Sequence, residues 1–544
     1  MPARAASLVD FSGYIRNFFI TDYNYPRNYD SSKASDTYFV TRFNLNMVFT
    51  PTDEISVHWR FRAPNMHRWG SESSAFENKF FYGQIKQDWG TIRVGRIDAP
   101  DQLGLASLGY LPSSVDFNMT RLGPFDSSTD RDSIWYKKDW ENGFGLTAYY
   151  TVMSSQPQAA PDSPFPAKWD SDGTYHRFIV EPRYQWEGGG VALGLAYDLN
   201  HLQKHTNAYD DAARNYLANQ SGKIWSLNPA LRLTRGDFSF NFEGKFAWGK
   251  QYRPEWLQVS NSFYGKPDGK GDRATGLAFY LNGDYNYGRG NVIISGWWVD
   301  GNDIVKRGVE DPTRYNSQKN HALVDMNDNF YPFVVAFASE NRFGGRDGVY
   351  SGNVNMGGNA IWWANTGMVA QMTKFYNSYT NTLLHLPNSV QTPAHNNDKA
   401  NHWAIAIHGN HSLTSEIAFS YAVGYMRLVN PNYSVGTHFT SDGSQQSIPH
   451  DIKGGQWTKH HTQSKDLGWE IDLGLRLRLL DNLTFATTFG YMFNGDAFKT
   501  LESYKAVPAS VGNAADPTND KDYVAVWRKP SNTYSWINTL NFDF

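Results

Sequence analysis

The chain has 544 residues, no cysteine, 19 Trp, 32 Tyr, 34 Phe, 47 Gly and a formal net charge of -3. So little charge offers no footprint for nucleic acid, and the absence of cysteine excludes disulfides, zinc–thiolate sites and covalent haem attachment. An aromatic share of 16% beside a mean hydropathy of -0.56 suits neither a soluble multidomain chain nor a helical membrane protein. No run approaches the roughly 18 apolar residues of a spanning helix. A large transmembrane barrel reconciles the two numbers, because each strand alternates a lipid-facing apolar residue with a lumen-facing polar one.

The opening Met1-Pro2-Ala3-Arg4-Ala5-Ala6-Ser7 lacks the apolar core of a signal peptide, so a mature or recombinant form without its leader is expected. Ser7 to Thr21 reads as a first strand, with Phe11, Gly13 and Ile15 on one face and Ser12, Tyr14 and Arg16 on the other. Thr37 to Phe49 sets Phe39, Phe43, Leu45, Met47 and Phe49 against Arg42, Asn44 and Asn46. After Pro51-Thr52-Asp53-Glu54, a third strand sets Ile55, Val57, Trp59 and Phe61 against Ser56, His58, Arg60 and Arg62.

Two hairpins follow, one turning at Asp88-Trp89-Gly90 and one at Asp139 to Gly143. The segment between them is too long for a turn and too apolar for a solvated tail, since it holds Leu105, Leu108, Tyr110 and Leu111. It is expected to fold back inside something hollow. Further hairpins turn at Gly188-Gly189-Gly190, Arg235-Gly236-Asp237, Gly288-Arg289-Gly290, Asn410 to Ser415 and Asp481-Asn482. Thr533 to Phe544 reads as a last strand.

The pattern predicts an all-β fold. It is a transmembrane antiparallel β-barrel of roughly 18 strands (about 16 to 20), with short periplasmic turns and long extracellular loops. The whole chain, 1–544, is one barrel domain, with 97–131 as an inward-folded constriction loop and 301–399 as a long segment that partly plugs the lumen. A further hairpin within 301–399 is the competing expectation there.

Several stretches resemble the trimeric outer-membrane porins, typified by the enterobacterial general porins. Val9-Asp10-Phe11-Ser12-Gly13-Tyr14 is similar to their opening strand. Trp89-Gly90-Thr91-Ile92-Arg93-Val94-Gly95-Arg96 is similar to the Gly-x-x-x-x-Gly-Arg strand that launches their third external loop, and Leu108-Gly109-Tyr110-Leu111-Pro112 resembles part of that loop. Arg131-Asp132-Ser133-Ile134-Trp135-Tyr136 resembles the strand that leaves it, and the terminal Phe544 matches the family's ending. The resemblance covers roughly the first 150 residues and the final strand. It departs after Pro112, where Ser113-Ser114-Val115-Asp116 replaces an acidic, glycine-rich tip, and the chain is longer than the general porins, closer to the 18-stranded type.

The resemblance implies an outer membrane of a Gram-negative bacterium, a homotrimer, contact with lipid and lipopolysaccharide, and assembly machinery that reads Phe544. It also implies a passive diffusion channel for small hydrophilic solutes and ions, with a loop of acids facing a wall of bases. By parity Arg42, Arg60 and Arg62 face inward; by resemblance Arg16, Arg96 and Arg131 join them. The opposing acids expected on the loop are Asp98, Asp101, Asp116 and Asp126, with Asp116 the closest match.

On the far wall Glu470, Asp472, Arg476 and Arg478 would face inward beside the small residues Ala418, Ser420, Ala422 and Gly424. The other readings are a substrate-specific channel for a sugar, organic acid or anionic polysaccharide, drawing on inward Tyr14, Tyr82, Trp135 and Tyr280, and a structural or adhesive surface protein anchored by its barrel. No cofactor is expected. Asp325, Asn327 and Asn329 begin a calcium loop, but the sixth-position Gly and the final Glu are missing. His408 and Ser420 share an inward face without an oriented third group, so no enzyme is expected.

Overall fold

The computed structural model describes residues 9–23, 35–62, 67–68, 77–97, 103–110, 131–155, 174–200, 222–251, 257–259, 262–264, 272–300, 333, 402–429, 438–439, 445–446, 464–496, 500–506, 523–528 and 532–544. The wall strands are β1 (Val9–Tyr23), β2 (Ser35–Phe49), β3 (Ile55–Arg62), β4 (Glu77–Gln87), β5 (Gly90–Ile97), β6 (Arg131–Asp139), β7 (Phe144–Ser155), β8 (Thr174–Trp186) and β9 (Gly189–Asn200). They continue with β10 (Gly222–Arg235), β11 (Phe238–Gln251), β12 (Asp272–Asn286), β13 (Asn291–Val299), β14 (His402–Ser412), β15 (Ile417–Leu428), β16 (Asp466–Leu480), β17 (Leu483–Asn494) and β18 (Thr533–Asp543).

Each strand pairs antiparallel with its neighbours in chain order, and His67–Arg68 continues the line of β3 against Val40 and Thr41, which leaves an 18-stranded wall. Short hairpins Leu257–Val259 with Ser262–Tyr264, and Thr500–Ala506 with Tyr523–Arg528, stand outside the wall in the long connections.

Closure follows from the pairing of β18 with β1, running from Tyr14 opposite Asp543 to Tyr23 opposite Tyr534. Phe544 completes it: its N–H donates to the Gly13 carbonyl at 3.0 Å and its carbonyl accepts from the Gly13 N–H at 2.8 Å. No edge strand is left in the described wall, so its ladder groups pair strand to strand without relying on water. β13 pairs directly with β14, Ile294 opposite Ile407, so no hairpin from the long intervening segment enters the wall.

Val9, Phe544 and all the tight turns share one end of the barrel, and the strand ends that lead into the long connections share the other. Two-residue turns with positive φ need glycine, and Gly188 (φ 79°) and Gly236 (φ 59°) supply it.

The period-two pattern resolves into two faces. Outward positions such as Phe11, Ile294 and Ile405 are more than half exposed, whereas inward Asn241, Asn282 and Glu243 are buried. Outside, aromatic rings from adjacent strands pack together, as with Tyr197 and Trp225 at 4.4 Å and Phe238 and Tyr285 at 4.5 Å. Among the described residues no helix is long and apolar enough to cross a membrane; the crossing elements are strands. On β8 and β10 the ladder skips a step around Pro182 and Pro229, since proline has no N–H to give. Both skips lie beside the place where the interior is occupied.

Candidate functional site

Residues 103–110, from the connection between β5 and β6, pack against inward side chains of the wall. A short 3-10 turn, Ala106–Leu108, buries Leu105, Ala106 and Leu108 against the wall. Its first backbone N–H groups have no partner within the turn, and two wall carboxylates take them. Glu181 Oε2 on β8 accepts from Gly104 N–H at 2.8 Å, and Glu243 Oε2 on β11 accepts from Leu105 N–H at 3.0 Å.

At the other end Arg232 on β10 donates to the Leu108 carbonyl at 2.9 Å. On β12 the Asn282 amide donates to the Tyr110 hydroxyl and, at 2.7 Å, to that of Tyr280. Burial, with Tyr280 next, pushes the Tyr110 hydroxyl well above the usual tyrosine range. Side chains from β8, β10, β11 and β12 thus hold this segment against the wall.

A second sector of the wall is basic. Arg16 on β1 stands directly opposite Arg42 on β2. The Tyr14 hydroxyl accepts from the Asn44 amide at 2.6 Å, and the Asn44 carbonyl oxygen accepts from Arg62 Nε at 2.9 Å. Arg60 Nε donates to Asn46 at 2.6 Å, Arg16 Nε to Asn541 at 2.7 Å, and Arg93 Nε to Gln84 at 2.8 Å. These acceptors are neutral amides, which orient a guanidinium without adding a countercharge. Ring faces hold the same cations: Arg16 lies 4.0 Å from the Tyr14 centroid, Arg60 4.6 Å from Phe80, and Arg93 4.5 Å from Trp135. His58 stacks on Tyr82 at 4.7 Å.

Of the residues expected at the constriction, Arg16, Arg42, Arg60 and Arg62 come together on this face. Arg96 does not: it pairs with Phe81, an exposed outward residue, so it lies on the outer face. The inward cation of β5 is Arg93. Plain alternation would have found it, because Ile92 and Val94 on either side are lipid-type residues. Arg131 pairs with Ile97 at the mouth of the loop. Asp98, Asp101, Asp116 and Asp126 lie outside the described residues, as do Asp325, Asn327 and Asn329. Among the described residues no cluster suited to a metal ion occurs.

Glu181, Glu243 and Arg232 went unremarked in the sequence. Glu243 carried a usable signal, as the lone acid in the Phe-rich run of β11 with inward parity.

On the far wall Ala418, Ser420, Ala422, Glu470 and Asp472 are inward and buried. Phe333, the one described residue of 301–401, packs there with its ring 6.0 Å from Trp297. It lies so close to Gly424 that any β-carbon at that position would overlap it. His408 Nε2 pairs with Ser295 Oγ at 3.0 Å, and Ser420 stands opposite Asn410.

An edge-free strand cylinder, apolar outside and polar within, defines a membrane-spanning β-barrel. No family model matches the chain, and no characterised protein matches it by sequence. Among solved structures it is similar to OccK11 (OpdR) of Pseudomonas aeruginosa, at 9% identity over 98% of this chain and 96% of that one, with a TM-score of 0.43. It is also similar to OprD of the same organism, at 9% identity over 98% and 95% with a TM-score of 0.43. An anion-selective porin from Comamonas acidovorans gives 10% identity over 98% and 99% with a TM-score of 0.40.

Proposed function

We propose that the chain is an outer-membrane porin of a Gram-negative bacterium, a passive pathway for small hydrophilic solutes and ions through a charged constriction. The observation that carries this reading is the basic inner face of Arg16, Arg42, Arg60, Arg62 and Arg93 beside a loop seated within the lumen. Barrels of 16–18 strands are wide enough for an aqueous channel, and a fixed sector of cations over low-dielectric walls concentrates anions and orients dipolar solutes. Asp98, Asp101, Asp116 and Asp126 complete the constriction from the 97–131 loop. The 301–399 segment fills part of the lumen from the far side, where Phe333 already rests. The barrel works as a homotrimer amid lipid and lipopolysaccharide, and assembly machinery reads Phe544.

A second reading, a channel specific for a sugar acid or other carboxylate, is favoured by the rings interleaved with the cations, Tyr82 and Trp135 around Arg93. Planar-bilayer recording under a salt gradient separates the alternatives. Large steady openings with an anion-favouring reversal potential support the porin reading. Very small openings blocked by added uronate or short carboxylates support the specific channel, and a sealed barrel overturns both in favour of a surface anchor.

A further inference from the structure

At the end of the barrel that bears the long connections, three cations fall in one line across β10, β11 and β12. Lys223 stands opposite Lys250, and Lys250 stands opposite Arg273. Alternation from Trp225, Trp248 and Thr275, each two residues nearer the tight turns, places all three positions on the outer face. Lys223 is exposed. Neighbouring strands lie about 4.8 Å apart, so the line is only about 10 Å long.

Like charges directly opposite on neighbouring strands repel. Two other cations at this end have an acid opposite instead: Arg96 faces Asp132 across the ladder, and Arg427 faces Asp466. The three-cation line has no such acid among the described residues. Asp198, on the inner face of β9, is bonded twice to Arg177, at 2.7 and 2.8 Å, and alternation sends Asp272 to the inner face as well. A line of charge left unbalanced within the chain calls for an anion from outside it.

We propose that this line binds the phosphate of an outer-leaflet lipid headgroup. The height of the line fits that occupant. One step below it Trp225 stands opposite Trp248, and the Trp225 ring packs on Tyr197 at 4.4 Å. Rows of Trp and Tyr mark the level where the apolar belt meets the headgroups, and the cations lie about 7 Å further out. Lysine and arginine are the side chains that pair with phosphate. A second copy of this chain would bring the same three cations and add to the repulsion. The inference rests on the outer-membrane placement proposed above and deepens it by naming where a lipid binds.

The test is native mass spectrometry of the full chain in mild detergent, with bisphosphorylated lipid A as the probe and fully dephosphorylated lipid A as its comparison. Wild type should retain the phosphorylated probe, and Lys223→Gln/Lys250→Gln/Arg273→Gln should lose at least tenfold of the bound fraction. Two further variants keep a folding defect from imitating that loss. Lys223→Arg/Lys250→Arg keeps the charge and should keep the probe, and Arg96→Gln/Arg427→Gln, at positions with an acid opposite, should leave the bound fraction unchanged. No binding by wild type, equal binding of the two probes, or the same loss in all three variants overturns the assignment. Displacement of the probe by an equal concentration of inorganic phosphate overturns the lipid as the source of the anion. Conductance is recorded separately: a sealed wild-type barrel that still discriminates the two probes strikes the porin reading and supports the lipid site, whereas a conducting one that does not discriminate them strikes the lipid site alone.

Discussion

Gly104 lies against Glu243 so tightly that a β-carbon on Gly104 would stand 2.6 Å from the Glu243 carboxyl carbon. Its φ of 59° adds a second reason for glycine, since a side chain in the left-handed region costs about 1–2 kcal/mol. Gly104→Ala should therefore lift the loop from its seat while the wall stays closed. Single-channel conductance should rise and residues near 104 should become open to protease, with unchanged heat-modifiable mobility on a gel. Unaltered conductance and protection would mean that the loop tolerates the seat without glycine.

The carboxylates can be tested apart from the backbone. Glu243→Ala leaves the buried Leu105 N–H unsatisfied, at a cost of about 1–3 kcal/mol, and Glu181→Ala does the same to Gly104. Either change alone should loosen the loop, and the double variant should release it, because both carboxylates act on one turn. Hydrogen exchange at Gly104 and Leu105 reads this directly, and protection as strong as in wild type would assign the seat to apolar packing instead.

Tyr110 makes the seat sensitive to alkali. Burial, then the neighbouring Tyr280, raises its hydroxyl well above the ordinary value of 10.0, so the seated state holds its proton more tightly than the free loop does. The stabilisation is complete below the free tyrosine value and is lost as pH rises through the raised one. A rise in conductance above about pH 10 should appear in wild type and vanish in Tyr110→Phe, which has no proton to lose. The same alkaline step in both proteins would exclude Tyr110 as its source.

Much of the wall was legible because its information is local. Alternation assigns Arg42, Arg60 and Arg62 inward from their own neighbours, and turns such as Glu187-Gly188 carry glycine for a backbone reason. Arg96 shows where resemblance misled: the Gly-Arg pairing suggested a pore residue, yet its parity with Val94 sends it outward and Arg93 inward. The loop seat was not legible, because the bonds from Gly104 to Glu181 and from Leu105 to Glu243 join residues 77 and 138 positions apart. Nothing in the local pattern of either strand reports which segment will cover it. The far wall was intermediate: Ala422 and Gly424 announced that something packs there, and Phe333 supplies one such residue.

Ion preference distinguishes Arg96 from the inward arginines. Arg60→Ala with Arg62→Ala removes two of the cations on the basic face and should move the reversal potential toward cations, with a larger effect at low salt, where screening is weak. Arg96→Ala should leave the potential where it was. An equal shift from both variants would mean that charge at the mouth, rather than the inner face, sets selectivity.

Phe544 and Gly13 bind the two ends of the chain into one cylinder. Deleting Phe544 removes two backbone hydrogen bonds of 2.8 and 3.0 Å and the ring that stacks on Phe43 at 6.1 Å. A β-carbon at Gly13 would press to 2.2 Å from the Asn44 carbonyl oxygen on β2 and 2.8 Å from that ring, so Gly13→Val should disturb β1 against both of its neighbours, the seam included. Both changes act on closure, the step with the longest sequence separation and the largest loop to close, so they should lower the yield and rate of folding into vesicles more than they lower the conductance of barrels that do close. Folding followed by heat-modifiable mobility over time tests this. Full wild-type yield and rate in both variants would show that the β1–β18 ladder closes the barrel without its last residue.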